Sequence, residues 1–492
     1  MMKEISMINR ADKKKNIETY DLYIEALVCI VLFAALYMWA RVQPLYDQPD
    51  EWCRFLLPYY VMQTGKLPNG NLPSLMISTY GISYAYFPGL PYIFMGIFMK
   101  LASFFGDSAY HLLMAARMVN ILAGVTTFIV LRRLARLAFK GRIIGWFFSL
   151  VGVLWPQVMF IFTYVNCDGF AYLSCAVIMY ALVRGLTNKW TMKDIVILSL
   201  GISLCLLSYF NAYGMVVGAF ITFVLSFITV NDTKRYSFDI KTCIRKGLMV
   251  CLFVAIFAGW WFIRSAILYE GDFIGLEANR RLAQAYAAPA FKPSMKVTIQ
   301  SLGYPITYLL QNQDYMFLVK QSFFGRFGNM VLPASNFVLR GYKLILTAGI
   351  ALTIISTILL IVKKIGIKGR AYKLGGLEVI YLWTGALISS FIAAFLCVWY
   401  SYTSDYQPQG RYILPGLIPL LFVVFAGYGR LADSYKGLGI QDRRLVKAIE
   451  IIVILGALAY LILALISCIM TIYGAYYGDY NLTRALIFDT NF

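Results

Sequence analysis

The sequence predicts an all-α protein that crosses a membrane about eleven times, and three observations carry that expectation. The 492 residues are 60% hydrophobic and only 14% charged, with a mean hydropathy of +0.69, whereas soluble domains average about 45–50% apolar and about 25% charged residues. The excess is organised in runs: residues 143–167 and 344–362 contain no Asp, Glu, Lys or Arg, and about 20 apolar residues suffice to span the hydrocarbon core. Basic residues collect in short loops between the runs, as in Arg132-Arg133-Leu134-Ala135-Arg136 and Lys363-Lys364, the asymmetry that sets topology. The formal net charge of +20 is thereby explained without nucleic acid, and membrane lipid is the expected surrounding.

Counting crossings from the basic segments orders the elements. Lys13 to Lys15 precede the first apolar run and hold the N-terminus in the cytoplasm, as an uncleaved anchor. The first span, 22–40, delivers Arg41 to the outside, and the Arg132 cluster belongs inside. Only one of the two intervening apolar stretches can then cross. That one is 112–131; the stretch 86–105, with Pro88 and Pro91 near its start, lies along the outer interface or re-enters. Further spans follow at 143–163, 169–186, 195–209, 214–230, 248–268, 344–362, 379–400, 412–428 and 451–472, with the C-terminus outside. The whole chain, 1–492, reads as a single transmembrane domain with external juxtamembrane helices in two long outer segments, about 41–110 and 270–340. Most of the nine cysteines sit in apolar runs as small packing residues; Cys53 and Cys167 fall on one side, which leaves a disulfide between them open though nothing in the sequence supports it.

On this map the polar groups at span ends gather outside. Asp50-Glu51 follows Pro49 and opens an amphipathic stretch; a carboxylate at a helix start stays ionised and can accept a proton from a hydroxyl nucleophile. Asn166 and Asp168 form the turn before the 169–186 span, and Trp260-Trp261-Phe262-Ile263-Arg264 puts a guanidinium under an aromatic belt, suited to phosphate. Gln409-Gly410-Arg411-Tyr412 repeats that logic at another span entry, and Ser322 to Gly328, which contains Arg326, reads as a sugar platform or an interfacial re-entrant turn. Each of these residues can equally mark the water interface; as a set they point to a shared external cavity. There is no Walker-type phosphate loop and no Asp-x-Asp element for a metal–nucleotide complex, and the lone His111 cannot build a histidine cluster or a supported Ser-His-Asp site.

Taken in order, these motifs resemble the GT-C superfamily of polyprenyl-phosphate-sugar glycosyltransferases, which includes the protein O-mannosyltransferases and the aminoarabinose lipid A transferases. The residues that carry the resemblance are Pro49-Asp50-Glu51, Pro88-Gly89-Leu90-Pro91-Tyr92, Asn166-x-Asp168, the short hairpin around Asn211, and Trp260-Trp261-x-x-Arg264. With Phe324-Gly325-Arg326-Phe327-Gly328 and Gln409-Gly410-Arg411-Tyr412, the pattern is similar to a less characterised bacterial branch. The resemblance implies a GT-C-like bundle in the plasma membrane, a lipid-linked donor, and a glycan, lipid or protein acceptor of the cell envelope, used on the extracytoplasmic face. It implies Asp50 as catalytic base with inversion, Asp168 orienting a substrate and Glu51 as a weaker catalytic candidate. It assigns Arg264 and Arg411 to the polyprenyl phosphate, with Arg326, Asn166, Gln409 and Tyr412 as further binding candidates. No metal ligand is assigned, since a lone histidine removes the metal site some relatives build with histidine, although a divalent cation stays open. A transporter or flippase for lipid-linked sugars and a non-catalytic subunit of a glycopolymer assembly complex are the competing readings. The absence of an evident internal repeat and the clustering of polar groups at one end favour the enzyme.

Overall fold

A computed structural model describes residues 2–230, 235–362, 371–436 and 443–478. The Lys363-Lys364 loop and the chain end expected outside fall beyond the described residues. The first half contains α1 (Met2–Val42), α2 (Glu51–Thr64), α3 (Leu90–Ala102), α4 (Ala109–Ala138), α5 (Arg142–Leu154), α6 (Pro156–Ile161), α7 (Asp168–Asn188), α8 (Met192–Leu206) and α9 (Tyr213–Leu225). The second contains α10 (Ile240–Leu268), α11 (Leu276–Tyr286), α12 (Thr307–Gln311), α13 (Gln313–Phe324), α14 (Asn336–Val362), α15 (Gly376–Thr403), α16 (Leu417–Lys436) and α17 (Arg443–Tyr477). Sheet is confined, among the described residues, to two antiparallel hairpins: β1 (Ile228–Val230) with β2 (Tyr236–Phe238), and β3 (Arg326–Phe327) with β4 (Leu332–Pro333).

Eight helical segments among the described residues are long and apolar enough to cross a membrane: Thr19–Val42, Ala109–Ala138, Asp168–Asn188, Ile240–Leu268, Asn336–Val362, Gly376–Thr403, Gly410–Asp433 and Glu450–Tyr477. They coincide with eight of the expected spans. The other three are shorter helices. The expected span 143–163 is divided into α5 and α6 at Trp155-Pro156, because proline lacks the N–H that a continuing helix needs and drives the preceding residue out of the α region; Trp155 has ψ 123°. The stretches 195–209 and 214–230 become α8 and α9, of 15 and 13 residues. At 1.5 Å per residue each extends only about 20 Å, short of the ~30 Å hydrocarbon core. The stretch 86–105 becomes a 3-10 turn at Tyr84–Tyr86 followed by α3, whose first turn holds Pro91, where a missing N–H costs nothing.

Burial sorts the helices into a centre and a periphery. The span in α7 is 83% buried inside the protein, whereas those in α10 and α14 are 11% buried and present apolar side chains outward, as lipid-facing helices do. The core around α7 includes Leu36, Trp39, Phe128, Trp155, Tyr164, Ala176 and Phe422. Polar side chains inside spans satisfy themselves locally: Thr127 donates to the carbonyl of Ala123 at 2.8 Å and Ser149 to that of Gly145 at 2.8 Å. One end of the bundle is tied by Asp21 and Glu25 to Arg132, Arg136 and Arg142. At the opposite end Arg117 of α4 holds the C-terminus of α1, Glu51 of α2 holds Val165 before α7, and Arg411 at the entry to α16 holds Tyr164.

Candidate active site

The site is built on a polar frame that the fold completes before any catalytic group is considered. Glu51, the first residue of α2, is fully buried. Its carboxylate accepts from Arg117 Nε at 2.9 Å, from Arg117 Nη2 at 2.5 Å and from the backbone N–H of Val165 at 2.7 Å. The remaining guanidinium nitrogen, Arg117 Nη1, donates to the carbonyls of Ala40 and Gln43 at 2.6 and 2.7 Å. A buried ion pair survives removal from water only when such further hydrogen bonds saturate it, and here they do. Asn120, one turn along α4, donates to the carbonyls of Tyr164 and Asn166 at 2.7 and 3.1 Å. Asn166 in turn donates to the carbonyls of Ile161 and Tyr164 and accepts from Gly169 N–H at 3.1 Å. The 163–167 turn is thereby locked, and it fixes where Asp168 begins α7.

Asp50, the neighbour of Glu51, is arranged differently. It sits at the N-cap of α2 with φ 57°, a left-handed conformation that Asp and Asn tolerate better than most residues, and its side chain makes no cap hydrogen bond. That geometry turns the carboxylate away from the helix; its side chain is 44% exposed. Two buried guanidiniums, Arg54 Nη2 and Arg411 Nη2, stand 3.6 and 4.0 Å from Asp50 Oδ2, within ion-pair range but beyond a close hydrogen bond. The Tyr84 hydroxyl acts on the same carboxylate electrostatically. Partial burial pushes the Asp50 carboxyl up, but Arg54, Arg411 and Tyr84 outweigh it and hold the group below its ordinary value of 3.8.

Both arginines are anchored from behind. Arg54 donates to Cys167 Sγ at 3.1 Å and Tyr92 Oη at 3.3 Å and lies 4.7 Å from the centre of the Tyr84 ring. Arg411 donates to Tyr164 Oη at 2.9 Å, Gln409 Oε1 at 2.7 Å and Tyr412 Oη at 3.3 Å. Gly410 lets this turn press against α13, where a Cβ would come within 2.5 Å of the Phe323 nitrogen. Asp168 is within electrostatic range of Arg411, Tyr164 and Tyr209, and its Oδ2 is buried without a hydrogen-bond partner.

Of the residues singled out from sequence, Asp50, Asp168, Arg411, Gln409 and Tyr412 therefore converge. Glu51 and Asn166 belong to the frame and are fully buried. Arg326 lies in the β3–β4 hairpin, where its Nη1 donates to Gln321 Oε1 at 2.7 Å and its Nε to the Met330 carbonyl. The surrounding aromatic stretch is core rather than a platform, since Phe327 is fully buried and Phe323 and Phe324 pack on Trp155. Cys53 and Cys167 are both buried free thiols. Arg117, Tyr84, Tyr164 and Tyr209 are the partners sequence reasoning passed over. Arg117 carried a signal, an ionisable residue within an apolar helix; the tyrosines, among 36 in the chain, carried none.

Arg264 occupies a second place. An open groove of about 630 Å³ runs between the lipid-facing side of α10 and the 66–72 loop, lined by Trp260, Ile263, Arg264 and Ile267 on one side and Tyr60 and Lys66 on the other. Arg264 Nη2 donates to the Pro68 carbonyl at 2.7 Å, while its Nη1 is buried without a partner. The groove thus offers two cations beside an apolar wall. A divalent cation does not fit at Asp50, because two guanidiniums within 4.0 Å repel it. No group of three His, Cys, Asp or Glu side chains suited to a metal occurs among the described residues.

The bundle, with its short broken helices, shares its overall fold with two solved structures. The chain is similar to the oligosaccharyltransferase of Archaeoglobus fulgidus, solved with a tethered acceptor peptide containing the NVT sequon, with 14% identity and a TM-score of 0.54 over 93% of this chain. It is also similar to ArnT from Cupriavidus metallidurans, solved with undecaprenyl phosphate, with 12% identity and a TM-score of 0.51 over 95% of this chain. The chain spans 56% of the length of the oligosaccharyltransferase and 78% of that of ArnT. No protein-family model matches the chain, and no curated protein does.

Proposed function

We propose that the protein is an inverting glycosyltransferase that moves a sugar from a polyprenyl-phosphate donor to a cell-envelope acceptor on the extracytoplasmic face of the plasma membrane. The observation that carries this reading is the Asp50 carboxylate, accessible yet held ionised between two buried arginines. Asp50 takes the proton of the acceptor hydroxyl while that oxygen bonds to the anomeric carbon. The bond from the anomeric carbon to the phosphate oxygen breaks on the opposite face, and its electron pair leaves with the polyprenyl phosphate. A carboxylate of lowered pKa is a weak base, which suffices because the hydroxyl becomes acidic only as its new bond forms.

The donor phosphate fits the Lys66–Arg264 groove, where an amphiphile can lay its chain along α10 and its anion against two cations. Arg411 fixes the charge of Asp50 and stabilises charge developing on the leaving group, and Asp168, within electrostatic range of Arg411 and Tyr164, orients a substrate. Gln409 and Tyr412 hold Arg411 in place. Glu51 is a positioning residue, acting through Arg117 and Val165. The fold shared with an oligosaccharyltransferase and with ArnT supports this class of donor. The test is transfer itself: full-length protein in vesicles, a panel of polyprenyl-phosphate sugars, and envelope glycans, lipids and peptides as acceptors. Turnover requiring both donor and Asp50 supports the reading. Movement of donor across the vesicle with no transfer assigns the chain to transport and overturns it.

A further inference from the structure

Beside the donor groove lies a second, smaller cleft of about 290 Å³, which shares Leu268 with it. Its floor is Tyr86 and Tyr269, tilted rings with centroids 4.7 Å apart. Its sides are Asn71, Glu270, Arg281 and the exposed ring of Tyr286. The strap between groove and cleft is Asn69-Gly70-Asn71. Gly70 N–H donates to Tyr269 Oη at 3.0 Å, and a Cβ on Gly70 would collide with the Tyr86 ring. Tyr86 Oη donates to Asn71 Oδ1 at 2.6 Å. The far wall is equally set: Asp272 accepts from the N–H groups of Ile274, Gly275 and Ala278, fixing the turn into α11. The cleft is preformed.

Its chemistry selects a ligand class. Glu270 and Arg281, 3.4 Å apart and both largely exposed, put one charge of each sign at the rim, so the cleft favours neither a polyanion nor a polycation. Planar groups (a carboxylate, a guanidinium and an amide) match pairs of neighbouring hydroxyls by double hydrogen bonds. An exposed tyrosine face supplies an apolar contact for the C–H side of a ring. A polyol with one apolar face meets all three demands; a lipid tail meets only the last. The cleft also adjoins the site. Tyr86 and Tyr84, whose ring lies 4.7 Å from the Arg54 guanidinium that pairs with Asp50, belong to one 3-10 turn, which advances only about 2 Å per residue.

We infer that this cleft binds a neutral oligosaccharide, the sugar chain of the acceptor. Carbohydrate binding stands on the cleft alone; the role of acceptor rests on the transfer reading above.

The test is saturation-transfer NMR on the detergent-purified full chain with soluble neutral oligosaccharides: chito-, manno-, gluco- and galacto-tetraoses. At least one is expected to receive saturation. Arg281→Ala and Tyr286→Ala should each weaken its binding about tenfold while leaving the thermal midpoint and the binding of polyprenyl phosphate unchanged. Both positions are surface side chains, so loss of fold is not the expected cause. Saturation of none of the four, equal binding by the variants, or preferential binding of an acidic or basic peptide to the cleft overturns the inference. An intact Asp50-dependent transfer reaction alongside such a failure removes the subsite and spares the enzyme. Oligosaccharide binding without any transfer does the reverse.

Discussion

The two ends of the bundle use the same ingredients, carboxylates and arginines, in inverse order. At one end Asp21 and Glu25 are the buried partners, with side chains 10 and 11% exposed, and Arg136 and Arg142 reach outward at 36 and 46%. The pairs are short, 2.6 Å for both Arg136–Glu25 and Arg142–Asp21, and Trp146 adds a donor to Asp21 at 3.2 Å. At the other end the arginines are sealed, 2 and 4% exposed, and Asp50 is the open partner. Its pairs are long, 3.6 and 4.0 Å. The first arrangement spends its hydrogen bonds internally and lets long basic side chains extend along apolar surface to water, which anchors the helices. The second buries fixed positive charge under an accessible anion, so the anion keeps its charge and retains capacity to accept. The difference teaches that charge type alone does not mark a reactive group. Which partner faces the opening, and how far it is already satisfied, does.

Four perturbations sharpen the comparison, and the largest concerns the frame. Glu51→Ala leaves Arg117 buried without its countercharge, which costs about 3–5 kcal/mol. The expected outcome is a steep fall in folded yield and thermal midpoint of the purified protein, with little protein left to assay. Next come the groove cations. A hydrogen bond to a charged group contributes about 1.5–3 kcal/mol, so Lys66→Ala and Arg264→Ala should each raise the Kd for polyprenyl phosphate roughly ten- to a hundredfold. Titration in detergent micelles checks this, with the thermal midpoint as control.

The third perturbation is pH. Wild-type kcat/KM should hold as pH falls from neutrality and decline only below the ordinary carboxylate value, because Asp50 must be ionised and its pKa is depressed. Arg54→Gln removes the strongest electrostatic contribution opposing burial, so Asp50 protonates at a higher pH and the acid limb moves upward. A limb that stays in place in the variant separates Asp50 from the titration. The smallest effect belongs to the opposite end. Arg142→Ala breaks a pair whose arginine is nearly half exposed and far from Asp50 in the bundle, and transfer rates per folded protein should match wild type.

The spans were legible because apolar length and basic loops are signals of composition, and no side-chain detail is needed to read them. Asp50 was legible for a related reason, as an acid after Pro49 at a point where hydrophobicity stops. The break at Trp155-Pro156 was present in the sequence as a proline, but an uncharged run reads as continuous when only charge is counted. The resemblance ranked Asp50 above Glu51, but the structural difference between them was not legible: a left-handed backbone turns one outward and Arg117, 66 positions on, closes over the other. Nor was the Lys66–Arg264 groove, whose two cations are almost two hundred residues apart and meet only because the 66–72 loop folds over the end of α10.

The central claim is that the open acid does the chemistry, and one measurement addresses it most directly. Wild type and Asp50→Asn, at equal concentrations of folded protein and saturated with the same polyprenyl-phosphate sugar, are compared in a single-turnover transfer assay. Asparagine tolerates the left-handed backbone and keeps the side-chain shape, so the fold and donor binding should be unchanged. The account predicts a transfer rate lower by about two to four orders of magnitude, the contribution of a general base. A rate equal to wild type at the same donor occupancy contradicts it.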